Sequence, residues 1–515
     1  MDFILCSITT LLSLLCFFAV VSRRWRRRSP PLPPGPTGFP LVGSLFSLDP
    51  DLHTYFASLA KTYGPIFSIK LGTKLGIVIS SPAIAKEVLQ ENDAIFANRD
   101  VPAVAHVIAY GGSDIAWSPY GPTWRMLRKV CVREMLSKAS LDGVYKLRRR
   151  EMRAMVVDLK NSSGKAVDVG DQMFLTVMNV ITSTLWGGTV EGEEGRSAVG
   201  KEFREVVSEI TELLGQPNLS DFFQRLRWMD LQGIERKMKK YLQRFDGIFK
   251  RIIEKKKKKE GDEGGVKDFL DFMLKLEKEG ADDANKSSTT TTTTFTMTHV
   301  KALLMDMVVG GTETASNTVE WAMAEMMKKP EIMRRAQEEV DKVVGKDTIV
   351  EESHISKLPY LGAVIKEVLR LHPALPLLVP HCPSSPSTIA GFYVPQGSRV
   401  FVNVWAIHRD PCLWENPLEF NPERFLGLDK GKWDYSGNDF SYLPFGSGRR
   451  ICAGISMAER MVGYALASLL HGFDWELPSG CKLDLAEKFG IVLKKAEPLV
   501  AIPTPRLSHD LQLYI

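Results

Sequence analysis

The chain has 515 residues, 44% of them hydrophobic and 25% charged, with 66 Lys and Arg against 61 Asp and Glu. Those fractions exclude a disordered, collagen-like or multi-span membrane chain, and the length allows a large core. Seven scattered cysteines, an odd number with no CxxC pair, exclude a disulfide scaffold and leave room for one special thiol.

The net charge of +5 is concentrated at the start. Arg23, Arg24, Arg26, Arg27 and Arg28 face only Asp2 in the first 28 positions, which leaves 61 basic and 60 acidic residues for the rest. A nearly neutral body carries no nucleic-acid footprint. Phe3 to Val21 is an apolar run long enough, at about 1.5 Å per residue, to cross a hydrocarbon core of about 30 Å. The arginines follow the run, so positive-inside logic places the body in the cytosol. A cleaved signal peptide is the other reading. It lacks a basic start, and arginines stand where a small-residue cleavage site would be. Residues 1–28 are therefore expected to be a membrane anchor. Residues 29–43, opening Ser29-Pro30-Pro31-Leu32-Pro33-Pro34-Gly35-Pro36, are expected to be a stiff hinge. A single domain would follow over 44–515.

In the body, short strand patterns occur at Ile66–Leu71, Gly76–Ser80, Thr388–Val394 and Arg399–Val404. Helical periodicity covers Leu141–Val157 and Glu202–Leu214. The lysine run Lys255–Lys259, the glycines of Gly261–Gly265 and the threonine tract in Ser287–Thr294 read as solvated loop. A long helix begins with Thr298 as N-cap and runs to about Lys329; Pro330–Val344 and Ser356–Leu371 follow as helices. The expected fold class is mainly α with small β-sheets.

One thiol stands out. Phe445-Gly446-Ser447-Gly448-Arg449-Arg450-Ile451-Cys452-Ala453-Gly454 precedes a helix from about Ile455. Glycines let backbone N–H groups turn toward the Cys452 sulfur, and a helix N-terminus favours negative charge there. Arg450 can reach an anionic group of whatever the thiolate binds, and Phe445 can pack over it.

The spacing Phe-x-x-Gly-x-Arg-x-Cys-x-Gly resembles the haem-thiolate loop of cytochromes P450. Further stretches are similar in the expected order: Trp124 and Arg128 in a Trp-x-x-x-Arg helix, Gly310-Gly311-Thr312-Glu313-Thr314, Glu367-x-x-Arg370, and Pro422-Glu423-Arg424-Phe425. The resemblance implies the cytochrome P450 fold over about residues 30–505, after one N-terminal transmembrane helix. It implies haem b, with Cys452 as axial iron ligand and Arg450, Phe445, Gly448 and Gly454 forming its loop. Trp124, Arg128 and His381 would meet the haem propionates. Thr314 and Glu313 would handle protons during oxygen activation, in a locally opened helix groove. Two mid-helix glycines also fit a plain packing notch. Glu367, Arg370 and Arg424 would form a structural network.

The resemblance also places a substrate pocket at Asn98–Trp117, Met305–Thr314, Ala374–Val379 and Phe489–Leu493. Ala374, Leu377, Leu378, Val379, Ile491 and Val492 would give it an apolar lining suited to a lipophilic molecule. The Tyr110–Lys129 segment is similar to plant microsomal members that oxidise sesquiterpenes and flavonoids. The expected activity is oxidation of a plant terpenoid with O2 and electrons from NADPH-cytochrome P450 reductase, at the endoplasmic reticulum membrane. The alternative is a flavonoid hydroxylase. An isomerase or dehydratase, or a non-catalytic haem sensor, are readings of other classes, and the intact Glu313–Thr314 pair disfavours the first. Arg125, Lys129, Arg133 and Arg449 are expected on the reductase-docking face.

Overall fold

The computed structural model describes residues 30–187, 196–259, 268–286, 294–427 and 433–507. The expected anchor, the first residue of the hinge after it (Ser29), the Gly261–Gly265 break and most of the threonine tract lie outside these residues. Among the described residues no helix is long and apolar enough to cross a membrane.

The described residues form a helical body with four small sheets. At its centre runs the helix Met297–Lys328. Its N-cap is Thr296 rather than Thr298: Thr296 and His299 satisfy each other's backbone N–H groups in a capping box. Its end is set by Pro330, which cannot continue a hydrogen-bonded helix but suits the first position of the next one, Pro330–Val344. The central helix packs against Val169–Trp186, Ile455–Gly472 and Pro359–Leu371. Val308, Ala315, Val319, Trp321, Ala322 and Met323 are buried there in the largest apolar cluster.

Helix boundaries depart from the sequence expectation where local chemistry intervenes. Leu141–Val157 is broken at Val144 into Lys138–Gly143 and Tyr145–Asn161. The expected helix at Ser356 begins at Pro359, after the separate turn Glu352–Ile355. The lysine run is helical, not loop. It forms the last turns of Ile234–Lys259, whose Phe245, Phe249 and Ile253 are buried. Cations suit that helix end, and Lys256 pairs with Asp268 and Asp271.

In the main sheet Ile66–Leu71 lies antiparallel to Lys74–Ile79, pairing Ile66 with Ile79. Lys74–Ile79 then runs parallel to Arg399–Val402, pairing Gly76 with Arg399. The expected single strand Thr388–Val394 is a hairpin of Ser387–Ile389 and Phe392–Val394. Its turn residues Ala390 and Gly391 have φ of 49° and 79°, the geometry a tight two-residue turn requires.

Candidate active site

The loop before the helix Ile455–Gly472 carries Cys452. Gly448 has φ 67°, and a Cβ there would lie 2.2 Å from the Leu89 carbonyl oxygen, so only glycine fits. The turn it makes lets Cys452 N–H donate to Phe445 O at 3.0 Å, and Gly454 N–H donates to Cys452 Sγ at 3.3 Å. The sulfur opens onto an internal cavity of about 380 Å³. Burial raises the thiol pKa, while the Gly454 amide and the Arg128 guanidinium pull it back. Both favour a thiolate once a cation is supplied. Phe445, Arg450 and Gly454 also line the cavity, whereas Gly448 shapes the turn behind it.

One end of the cavity is strongly basic. Arg99, Arg128 and Arg450 line it without a carboxylate ion pair among the described residues. Arg99 donates to the Val379 and Pro380 carbonyls, Arg128 to Ile451 O at 2.6 Å, and Arg450 to Ala97, Ile115 and Ser118. Burial lowers the pKa of all three, and repulsion from Arg450 depresses Arg99 further. The closest acid in electrostatic terms is Asp114. The Trp124 indole donates to Ile115 O at 3.1 Å, and Arg450 lies 4.5 Å over the Trp124 ring. His381 donates Nδ1–H to Phe96 O at 2.9 Å, and burial holds it neutral. Three guanidinia beside a cavity-facing thiol fit a cofactor that brings a metal cation for the sulfur and more than one anionic group for the arginines. Haem, with its iron and two propionates, has that chemistry.

The central helix forms a wall through Met305, Asp306, Val309, Gly310, Gly311 and Thr314. It is helical without interruption from Met297 to Lys328. The two glycines differ. A Cβ at Gly311 would lie 2.7 Å from Ile181 Cδ1, which makes it a packing notch, while Gly310 faces open space. Thr314 faces the cavity, with its hydroxyl donating to Gly310 O at 2.8 Å. Glu313 is turned away from the cavity, about 100° around the helix, and is ion-paired with Lys494.

Of the expected apolar lining, Ala374, Leu378, Val379, Ile491 and Val492 line the cavity. Leu377 does not. It packs with Phe56, Phe67 and Phe401 in the core beside the main sheet. Leu378 has φ 52°, and this reversal sends neighbouring leucines to opposite sides. Arg99, Asp114, Thr184 and Thr211 are lining residues that sequence reasoning did not single out. For Arg99 a signal existed: it lies inside the Asn98–Trp117 stretch. Thr184 and Thr211 sit on otherwise ordinary helices and gave none.

Beneath the site, Arg370 makes two bonds to Glu367, at 2.7 and 2.9 Å, and Arg424 Nε donates to Glu367 Oε1 at 3.0 Å. Glu367 and Arg370 are fully buried. The two guanidinia then hold the carbonyls of His408, Glu415 and Pro417, which fixes the chain leading to the cysteine loop.

The family model for cytochrome P450 matches residues 33–502. A flavonoid 3',5'-hydroxylase from Solanum melongena is 41% identical, covering 96% of this chain and 94% of that protein. A flavonoid 3'-monooxygenase from Petunia hybrida is 40% identical over 98% of both chains. A geraniol 8-hydroxylase from Swertia mussotii is 40% identical, covering 93% and 94%. Among solved structures, a zebra fish cytochrome P450 with progesterone matches with TM-score 0.75 and 27% identity, covering 89% of this chain and 100% of that one.

Proposed function

Because the chain belongs to the cytochrome P450 family and is one of its monooxygenases, we propose that it hydroxylates a flavonoid with electrons from NADPH-cytochrome P450 reductase. The observation that carries the substrate class is the near-full-length similarity to flavonoid hydroxylases. It reverses the order of the two substrate classes expected from sequence. A terpenoid substrate is the second reading, favoured by the similarity to geraniol 8-hydroxylase. The hydroxylase names of the relatives lend no support to an isomerase, dehydratase or sensor.

The chain's own residues have separable tasks. Cys452 would supply the thiolate that holds the haem iron, with its sulfur held by the Gly454 N–H. Arg128, Arg450 and Trp124 would hold the two carboxylates of haem b, joined by Arg99 and, with a proton on Nε2, by His381. When bound, haem supplies oxygen activation, to which the thiolate contributes electron density. Thr314 Oγ1 holds a proton at the cavity wall. Glu313 exchanges protons with solvent through Lys494, whose side chain is 25% exposed, rather than across the cavity directly. The apolar walls exclude bulk water and orient the substrate. Glu367, Arg370 and Arg424 keep the cysteine loop in place. Residues 1–28 anchor the body to the endoplasmic reticulum membrane.

The deciding assay supplies NADPH, reductase and a panel of flavanones, flavones, geraniol and sesquiterpenes, and identifies products by mass spectrometry. A flavonoid gaining one oxygen atom is the expected result; oxygenation of terpenes alone would sink the flavonoid reading. Cys452→Ser should lose all product. Thr314→Ala should keep NADPH oxidation while losing most of the product.

Arg125, Lys129 and Arg133 are exposed and carry no ion pair among the described residues, so they form the reductase-docking face. Arg449 contributes less than expected from sequence, because Asp93 neutralises it at 3.2 Å. Reversing Arg125 and Lys129 to Glu should slow reduction and flatten its salt dependence. An unchanged salt dependence removes this face from docking.

A further inference from the structure

Among the described residues, five aliphatic hydroxyls line the cavity: those of Thr184, Thr211, Thr314, Thr318 and Ser447. Four of them are spent on backbone carbonyls. Thr211 donates to Ser208 O at 2.9 Å, Thr314 to Gly310 O and Thr318 to Thr314 O at 2.8 Å each, and Ser447 to Gly437 O at 2.6 Å. Thr184 is different. It is 2% exposed, and its Oγ1 has no hydrogen-bond partner among the described residues. A helical threonine can bond back to a carbonyl one turn earlier, as Thr176 and Thr182 do in the same helix, Val169–Trp186. Thr184 instead leaves one donor and two acceptor sites uncommitted at the cavity wall. The other cavity residues of its helix, Ile181 and Leu185, are apolar, as is Phe269 of the helix Phe269–Lys286. A buried hydroxyl on such a wall is unfavourable until it meets a polar atom.

Helix pairing gives the level of this hydroxyl. A Cβ at Gly170 would lie 2.8 Å from the Glu320 carboxylate, and one at Gly311 would lie 2.7 Å from Ile181 Cδ1, so Val169–Trp186 runs antiparallel to the central helix. Thr184, three residues beyond Ile181, therefore stands level with Val308, about 9 Å along the central helix from Thr314. This helix lies outside the four stretches that sequence assigned to the pocket. We propose that Thr184 is a specificity-determining contact, its Oγ1 hydrogen-bonding a hydroxyl of the bound molecule at the end remote from Thr314. A molecule held there presents its opposite end to the reactive side, so Thr184 selects which end is oxidised. The identity of that hydroxyl rests on the flavonoid reading, in which the A ring lies opposite the ring that carries position 3'; the contact itself does not.

The test measures ligand-induced difference spectra of the haem-loaded protein. The probes are naringenin and 4'-hydroxyflavanone, which lacks both A-ring hydroxyls. Thr184→Val keeps the shape and removes the hydroxyl. It should weaken naringenin roughly fivefold to tenfold and leave 4'-hydroxyflavanone within about twofold. Thr184→Ser, which restores the hydroxyl without the methyl, should bind naringenin within about twofold of wild type. The readout is the ratio between the two ligands, so a general loosening of the helix cancels. Thr184→Ala replaces the valine variant if circular dichroism shows that valine disturbs the fold. Equal weakening of both ligands would reduce Thr184 to a packing residue and overturn the contact. Unchanged naringenin binding, the result expected if an ordered water takes the bond, overturns it as well. If the wild type binds geraniol and neither flavanone, the flavonoid reading fails on its own. Geraniol against its deoxygenated hydrocarbon then decides on Thr184 by the same criteria.

Discussion

His408 shows how a single side chain makes stability depend on pH. It is wholly buried, with its ring stacked on Tyr442 at 5.5 Å. Nε2 accepts the Leu443 N–H at 2.9 Å, so the network assigns Nδ1 as the protonated nitrogen, donating to Arg370 O at 3.2 Å. Both nitrogens are used by the neutral ring. A second proton would point at the Leu443 donor. Burial first, then the Arg370 and Arg409 guanidinia, lower its pKa to about 3. In the unfolded chain the ring takes up its proton near pH 6.5. Between those values the unfolded state binds more protons, so falling pH costs about 1.4 kcal/mol of stability per unit. Above about pH 6.5 this effect vanishes. His408→Gln should be less stable at neutral pH yet lose stability less steeply on acidification from about pH 6.5 to about pH 4.5. Thermal midpoints across that range check it; curves parallel to wild type would exclude His408 from the acid response.

At the scale of elements, the central helix carries two adjacent glycines with opposite reasons to exist. Gly310 faces open space and Gly311 meets Ile181. Gly310→Ala should gain helix propensity and raise stability by about 0.5–1 kcal/mol, while narrowing the cavity beside Thr314. Gly311→Val should force apart the helices Met297–Lys328 and Val169–Trp186 and cost about 1–3 kcal/mol. Denaturation followed by helical circular dichroism separates the two, and equal effects would mean the glycines are interchangeable. The sequence made the glycine pair visible but not which face each occupies. The same limit applies to Glu313 and Thr314. Neighbours on a helix diverge by about 100°; Thr314 faces the cavity and Glu313 does not, and the partner that receives Glu313, Lys494, is 181 positions away. The cysteine loop was legible because its logic is local: glycines, sulfur and helix start lie within ten residues. So was the Glu367–Arg370 pair, one helical turn apart. Asp306 fell inside the expected stretch Met305–Thr314, but its bond from the Ile115 N–H was not legible, because that partner lies 191 positions away. Proline-set boundaries such as Pro330–Val344 were read correctly, since the ring acts through backbone geometry alone. The Lys255–Lys259 turns were misread, because the apolar face that keeps them helical lies earlier in the helix.

For the molecule as a whole, Glu487 joins segments that sequence separates widely. Its carboxylate takes His53 Nε2 at 3.3 Å, His372 Nδ1 at 3.0 Å, Trp405 Nε1 at 3.0 Å and Arg409 at 3.0 Å. His372 passes the connection on to Glu325, on the central helix, at 2.8 Å. The helix Leu52–Tyr63, the end of the helix Pro359–Leu371, the segment holding Trp405 and Arg409, and the C-terminal strands are thus tied to the helix that lines the cavity. Hydrogen bonds from His372 and His53, together with Arg409, outweigh burial and hold the Glu487 carboxyl well below the usual range. Arg409 is 9% exposed, so Glu487→Gln leaves a buried guanidinium without its counter-ion and should cost about 3 kcal/mol or more. The sign with pH follows from the depressed pKa. The stabilisation is fully present above the ordinary glutamate pKa, about 4.5, and is lost as pH falls beneath it. His408 acts from about pH 6.5 downward, together with His381 and His471, whose pKa values burial also lowers, so the upper part of the acid response belongs to buried imidazoles rather than to Glu487. Glu487→Gln should therefore lower the melting temperature uniformly above about pH 5 and flatten the curve only below about pH 4.5. A flattened slope already at about pH 6 would show that the Glu487 and His408 sites are coupled.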